Sequence, residues 1–97
     1  MVSRIKSFCP MPEYRLLVTF DDGRMVRYDV LEDIRTIPTF EELETEPGLF
    51  ENAQLDQSRT CIYWCDQIDL PSDTIYEYGV HEDIHLSVAE KVPEYSN

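Results

Sequence analysis

The stretch Tyr14–Val30, YRLLVTFDDGRMVRYDV, predicts a β-hairpin, because two alternating runs of aromatic and β-branched residues flank a turn. Matching the two faces decides the length of that turn. A two-residue loop would set apolar residues of one strand opposite charged residues of the other. A three-residue loop from Asp21 to Gly23 sets Val18 opposite Val26 and gives one nearly apolar face. We therefore expect a type I turn followed by a left-handed glycine in a bulge.

Three further strands are expected outside the hairpin. The segment Val2–Cys9 alternates weakly and predicts a first strand, with Ile5 facing inward. Residues 9–13 contain two prolines, which cannot donate to a β-ladder, so this segment is expected to be a connector. The segment Thr60–Cys65 consists almost entirely of strand formers, and a short strand is expected before it at residues 53–56.

Short helices are expected between the strands. Residues 30–35 favour one helical turn, and a second helix is predicted from Phe40 to Glu44. Thr39 would be its N-cap, and Glu42, three positions later, would complete a capping box.

A last helix is predicted over Pro71–Tyr78, with proline in its first turn. Ser72 or Asp69 would cap it, Ile75 would face inward, and Gly79 would be the C′ residue. Together these elements predict an α+β fold, a small antiparallel β-sheet with short helices packed on one face.

The composition predicts one folded domain. Ninety-seven residues suffice for a single core, and the hydrophobic content is 42%, with four Phe and six Tyr. No apolar run approaches the roughly 20 residues of a membrane span, and the N-terminus lacks the apolar segment of a signal peptide. Three cysteines, an odd number, without an export signal indicate reduced thiols and a cytoplasmic location.

The net charge of −12 is unevenly distributed along the chain. Residues 1–30 have five basic and four acidic side chains, whereas residues 31–97 have three basic and sixteen acidic ones, a balance of −13. The chain lacks the basic cluster that binds phosphate backbones, so we expect no direct nucleic-acid binding. The acidity is typical of a solvated surface, or of a surface that attracts a basic protein partner.

An ordered series of motifs runs along the chain: F-x-D/N-G in the hairpin, F-x-x-L, L-F, I-x-W and D-L-x-x-D-x-x-Y-x-x-G. Over roughly residues 2–79 this series resembles a bacterial family of small proteins known as domain of unknown function 2442. The resemblance implies a compact α+β domain with an antiparallel sheet, found alone or before a helix-turn-helix domain, and sometimes paired with a small partner as in toxin–antitoxin systems. It implies no catalytic residues. The matching positions are Phe20, Gly23, Phe40, Leu43, Leu49, Phe50, Ile62, Trp64, Asp69, Leu70, Asp73, Tyr76 and Gly79.

A zinc site is suggested by spacing alone. Cys61-x₃-Cys65-x₁₅-His81-x₃-His85 fits a two-Cys, two-His pattern. Residues four apart on an extended strand are about 13 Å apart, however, so one ion cannot bind both cysteines. The same distance excludes a Cys61–Cys65 disulfide. We therefore expect no metal and no cofactor.

Trp64, Asp69 and Asp73 form the second candidate site, because two carboxylates near an aromatic ring can act as acid and base. The alternative is that the tryptophan lies in the core and the aspartates cap the last helix. The chain shows no nucleophile–base pair, so the structural alternative is preferred. A binding patch formed by aromatic side chains is a further possibility, although some of them are expected to fill the core. These side chains are Tyr63, Tyr76, Tyr78 and Tyr95.

Residues 1–79 are predicted to form the single α+β domain, and residues 80–97 a C-terminal extension. Within it, residues 84–88 alternate apolar and polar side chains, which favours an added strand over a helix, and residues 94–97 are expected to be mobile. The predicted function is a non-catalytic interaction or regulatory module, such as the acidic half of a toxin–antitoxin-like pair. The alternative is a small enzyme using Asp69 and Asp73 beside Trp64. The chain is expected to be a monomer or a weak homodimer through a sheet edge.

Overall fold

A computed structural model describes residues 3–82 and confirms the α+β fold. The strands in this part of the chain are β1 (Ile5–Met11), β2 (Arg15–Phe20), β3 (Met25–Asp29), β4 (Gln54–Leu55), β5 (Cys61–Cys65), β6 (Ile68–Pro71) and β7 (Val80–Glu82). They form two antiparallel sheets, sheet A in the order β1-β2-β3-β7 and sheet B in the order β4-β5-β6. The helices are α1 (Leu31–Thr36), a 3₁₀ turn (Pro38–Glu41), α2 (Glu42–Thr45), a second 3₁₀ turn (Phe50–Asn52) and α3 (Ser72–Tyr78).

The predicted hairpin is confirmed in its register and its turn. Val18 lies opposite Val26, as the apolar face requires. The backbone N–H of Phe20 donates to the carbonyl of Arg24 at 2.8 Å, which closes a three-residue loop. Gly23 has a φ of +91°, the left-handed conformation expected at the bulge.

Strand β1 is longer than predicted. Residues 9–11 belong to it, and Pro10 lies opposite Leu16, so the prediction of a connector there was wrong. A proline is tolerated because β1 is an edge strand of sheet A, where alternate N–H groups need no partner strand. Ile5 is fully buried, as predicted, and an extra residue after it shifts the register so that Phe8 also packs against the core.

The helical layer, residues 38–52, begins two residues earlier than predicted. Pro38 opens the 3₁₀ turn, so Thr39 lies inside it and makes no capping hydrogen bond. The capping box was therefore wrong, because proline, with its fixed φ, competes successfully for the first helical position. Phe40 and Leu43 are buried, as predicted.

Strand β6 was missed by the sequence analysis. Ile68 and Leu70 are buried and alternate with exposed residues, which is the strand pattern. Pro71 ends this strand rather than opening the helix, so Asp69 lies in the strand and cannot cap α3. Ser72 does not cap it either, since its hydroxyl donates to the carbonyl of Ser3.

Trp64 lies at the centre of the core, as predicted, with 7% of its surface exposed. Its ring stacks on Phe50 at a centroid distance of 5.9 Å and meets Phe40 nearly edge-on at 6.4 Å. Its Nε1–H donates to the carbonyl of Phe50 at 2.9 Å. Sheet B and the helical layer are thereby joined through one side chain.

A second link joins the two sheets at the hairpin turn. The Arg59 guanidinium donates to both carboxylate oxygens of Asp21, at 2.8 and 3.0 Å, and to the carbonyl of Ile5 at 3.1 Å. The hydrogen bond from Arg59 holds the pKa of the Asp21 carboxyl below its usual value.

The residues predicted to form an added strand (84–88) and a tail (94–97) lie outside the described part of the chain. None of the helices within residues 3–82 has the length and apolar character needed to cross a membrane.

Gly79 ends α3 in an extended conformation, not the left-handed one expected of a C′ glycine. Its role is steric, because a β-carbon would clash with the Val26 side chain and lie 2.7 Å from the carbonyl oxygen of Ile75. Gly79→Ala should therefore lower the free energy of unfolding by about 1–3 kcal/mol, as overpacking does, measured by urea denaturation. In a Val26→Ala background the loss should shrink, and an equal loss in both backgrounds would contradict this explanation.

Trp64→Ala should lower the free energy of unfolding by about 3–5 kcal/mol, because it opens a cavity in the core. Trp64→Phe keeps an aromatic ring in the core, so its loss of stability should be smaller than that of Trp64→Ala. Some loss should remain, because the Phe50 carbonyl then has no donor. Trp64 is the only tryptophan, so its fluorescence reports on this site directly. A native emission spectrum equal to that of the urea-unfolded chain would refute the burial.

Candidate functional site

The side chains of the proposed carboxylate site do not converge. Trp64 points into the core, whereas Asp69 lies opposite Tyr63 on the exposed face of sheet B. Asp73 lies in the first turn of α3, where it accepts a hydrogen bond from the Ser3 backbone N–H at 3.2 Å rather than capping the helix. Capping by the two aspartates was therefore wrong.

The cysteines and histidines of the zinc pattern are separated between the two sheets. Cys61 and Cys65 are the ends of β5, whereas His81 lies in β7 with its Nε2 2.7 Å from the carbonyl oxygen of Tyr76. His85 lies outside the described residues. Within residues 3–82 no three His, Cys, Asp or Glu side chains lie close enough to bind a metal ion. All three cysteines of the chain are free thiols, and burial raises the pKa of the Cys61 thiol.

The tyrosines differ in their surroundings. Tyr76 packs edge-on against Phe20 at 4.9 Å, and its hydroxyl donates to Asp22 at 2.7 Å, which is a structural role. Tyr63 is 38% exposed on sheet B, and Tyr78 is 72% exposed at the end of α3. Tyr95 lies beyond the described residues.

A cleft of about 300 Å³ lies between the β1–β2 turn and the helical layer. Among the described residues, 3–82, no lysine or arginine lines it. We call it the acidic cleft: its walls carry Glu13, Glu44, Glu46 and Glu51, and its floor is formed by Met11, Tyr14, Leu43 and Phe50.

Two tight turns build the acidic cleft. Glu13 and Tyr14 both have positive φ, at 66° and 59°, and Gly48 in the facing turn has a φ of +80°. The Tyr14 ring packs edge-on against Phe50 at 5.4 Å, so the two turns are held together by an aromatic contact. Non-glycine residues rarely adopt positive φ, and nothing in the sequence pattern indicated it here.

The electrostatics of the acidic cleft are one-sided. Glu13 forms an ion pair with Arg15 at 3.4 Å, but both groups are exposed and the pair is screened by solvent. Within residues 3–82, Glu44, Glu46 and Glu51 form no ion pair. Their charges therefore add to a local negative potential over a partly apolar floor. The sequence showed the acidic run but not the floor beneath it.

A second cleft of about 510 Å³, the strand-edge cleft, lies beside the end of β3. β7 covers β3 only as far as Arg27, which leaves the edge at Tyr28 and Asp29 open. The Tyr28 hydroxyl donates to Asp33 Oδ2 at 2.8 Å. Burial raises the pKa of Asp33, against the effect of that hydrogen bond, and burial with the adjacent Asp33 also raises the pKa of Tyr28.

A family profile described as "Protein of unknown function (DUF2442)" matches residues 5–81. The chain belongs to the DUF2442 family. This confirms the resemblance drawn from the motifs, and the match extends from the start of β1 into β7, so it includes both sheets. The comparisons with curated proteins and with solved structures find no match.

The family description names no activity, so a function for this DUF2442 chain has to be inferred from its geometry. The two clefts differ in character. The strand-edge cleft contains side chains of both signs, including Arg15 and Arg27, whereas the charged groups that line the acidic cleft within residues 3–82 are all carboxylates.

Asp33→Asn tests the burial of the Tyr28–Asp33 pair. The pKa of Asp33 is higher in the folded chain than in the unfolded chain, so protonation of this carboxyl stabilises the fold. That stabilisation is fully present below the unfolded pKa near 3.8 and is lost as the pH rises through the folded pKa. Asparagine does not titrate. The free energy of unfolding of the variant minus that of the wild type should therefore increase as the pH is raised from about 3 to about 7, measured by urea denaturation.

Asp66→Asn, at an exposed turn position, removes the same charge and is the matched control. If this difference in the free energy of unfolding decreased for Asp33→Asn as the pH was raised, the pKa of Asp33 would be lowered in the folded chain and not raised.

Proposed function

We propose that this DUF2442 chain is a non-catalytic cytoplasmic interaction module that binds a basic protein partner through the acidic cleft. The observation that supports this most directly is the combination of four glutamates and an apolar floor in one cleft, with no basic side chain contributed by residues 3–82. Three free thiols suit a reducing compartment.

The two parts of the acidic cleft suit the two parts of a basic side chain. Lysine and arginine place an apolar stem along hydrophobic surface and keep a charged head in a polar environment. Met11, 37% exposed, and the adjacent Tyr14 ring would pack against such stems. The surrounding carboxylates would pair with the charged heads, arginine in bidentate fashion. Methionine and tyrosine are common at interfaces for this reason.

The finer proposal is that the partner is a small basic protein made together with this chain, as in a toxin–antitoxin-like pair. The family resemblance suggests such an arrangement, and the net charge of −12 provides long-range attraction that speeds association. The product of the gene adjacent to this one is therefore the first protein to test for a stable complex.

The non-catalytic part of the proposal is supported by the placement of the candidate acid–base residues. Trp64 and Asp69 lie on opposite faces of sheet B, so they cannot flank one substrate. Asp73 is hydrogen-bonded to the Ser3 backbone.

Immobilised full-length protein should capture basic proteins from a cell extract at about 50 mM salt and release them at about 500 mM, where the Debye length is shorter. The triple variant Glu44→Gln, Glu46→Gln, Glu51→Gln should lose this capture. It removes three charges from the acidic cleft while keeping the size and polarity of the side chains.

The matched control removes three exposed charges elsewhere, with Asp66→Asn, Asp69→Asn and Glu77→Gln. Both triple variants have a net charge of −9 instead of −12, so general electrostatic attraction is equal between them. The control should retain the captured proteins. Equal loss in both variants, or capture that does not respond to salt, would contradict a role for the acidic cleft.

A further inference from the structure

Sheet A covers the core with one face and leaves its other face exposed. Residues opposite each other in neighbouring strands share a face, and the register places four apolar or weakly polar side chains in two adjacent rows. We call this surface the outer face. Its apolar members are Cys9, Leu17, Met25 and Val80, of which Val80 is 56% exposed.

The charged side chains of the outer face balance each other. Arg27 pairs with Glu82 at 3.0 Å across β3 and β7, and Arg15 lies opposite Asp29 across β2 and β3. These two positive and two negative groups cancel one another, and Arg15 also pairs with the exposed Glu13 at 3.4 Å, so the charge of this face is small beside the −12 of the whole chain. A second copy of this chain would be repelled by its acidic surfaces but not by its outer face.

One of these two charge pairs, Arg15 and Asp29, is also self-complementary. Consider a two-fold axis parallel to the strands and between β2 and β3, with the two sheets packed face to face as in a β-sandwich. β2 of one copy then lies over β3 of the other. Arg15 of one copy faces Asp29 of the second, and the contact occurs twice by symmetry, with Leu17 near the axis.

We propose that the outer face of sheet A is the surface through which two copies of this chain form a sheet-on-sheet dimer. This contact is separate from the acidic cleft, although the two surfaces adjoin at Met11. It also differs from the sheet-edge contact expected from the sequence, because the edge strand β7 is three residues long and the other edge strand contains Pro10, which cannot donate.

The size of the outer face sets the strength of the dimer. Four strands about 4.8 Å apart and about six residues long cover a face of about 19 by 20 Å. This area, about 380 Å² from those strand dimensions, is smaller than the roughly 800 Å² per partner of a standard stable interface. The dimer is therefore weak, and its population depends on protein concentration.

Sedimentation velocity from about 10 μM to about 1 mM tests the proposal, since a weak dimer dissociates over this range. The wild type should change from monomer to dimer. Arg15→Asp would set two carboxylates against each other across the interface, and Asp29→Arg would set two guanidinium groups together. Each variant alone should weaken association by about tenfold or more, because like charges meet at the contact.

An equimolar mixture of the two variants should associate again. In the mixed dimer, the aspartate introduced by Arg15→Asp faces the arginine introduced by Asp29→Arg, and at the second contact the unchanged Arg15 faces the unchanged Asp29. Net charge predicts a different order. Arg15→Asp raises the magnitude of the charge from −12 to −14 and Asp29→Arg reduces it to −10, so general repulsion alone would strengthen association of the second variant. That order, or a mixture no more associated than its components, would overturn the proposal.

A second pair of variants avoids Asp29, whose carboxylate also accepts a hydrogen bond from the Leu31 backbone N–H. Val80→Glu adds one charge to the outer face, and Tyr63→Glu adds the same charge at an exposed apolar position of sheet B. Val80→Glu should abolish dimerisation and Tyr63→Glu should not. A wild type that stays monomeric at about 1 mM, or equal effects of both variants, would refute the dimer.

Discussion

The register of the β2–β3 hairpin is the constraint on which both faces of sheet A depend. Side chains alternate along a strand, so the pairing that buries Val18 against Val26 necessarily exposes Arg15 and Arg27 on the other side. A slip of one residue would bury the arginines and expose the core. The three-residue loop ending at Gly23 therefore determines the packing of the core and the charge pattern of the outer face at once.

Side chains join sheet B to the helical layer and to sheet A, and the Ile5 N–H of sheet A also donates to the Arg59 carbonyl at 2.8 Å. The ring of Trp64 packs against aromatic residues of the helical layer, and its N–H satisfies the Phe50 carbonyl. At the hairpin turn, the Arg59 guanidinium binds the Asp21 carboxylate. The edge-on contact between Tyr14 and Phe50 holds the β1–β2 turn against the helical layer, and the acidic cleft is the space between them. Because Phe50 lines the cleft and also stacks on Trp64, the shape of the cleft depends on this core contact.

Local signals in the sequence were sufficient for the hairpin and for the buried positions of the helical layer, because periodicity and glycine placement act over a few residues. They failed where two local preferences competed. Pro38 occupies the first turn of the helical segment that Thr39 was expected to cap. The alternation of buried Ile68 and Leu70 places Pro71 at the end of a strand instead of the start of a helix. The acidic cleft was unpredictable for another reason: it joins two turns far apart in the chain, and one has positive φ at non-glycine residues such as Glu13.

The two proposed surfaces have a geometric relation that follows from the direction of the symmetry axis. A two-fold axis parallel to the strands leaves the ends of each sheet at the same height, so both β1–β2 turns lie at one end of the dimer. Met11 marks this relation, since it lies opposite Arg15 in sheet A and also lines the acidic cleft. In the proposed dimer both acidic clefts would therefore lie at the same end, each on the core side of its own sheet. A basic partner with two suitable segments would bind both, and the second contact would benefit from a high effective concentration. In that case a weak dimer and a weak contact at each cleft would together give stronger binding than either alone.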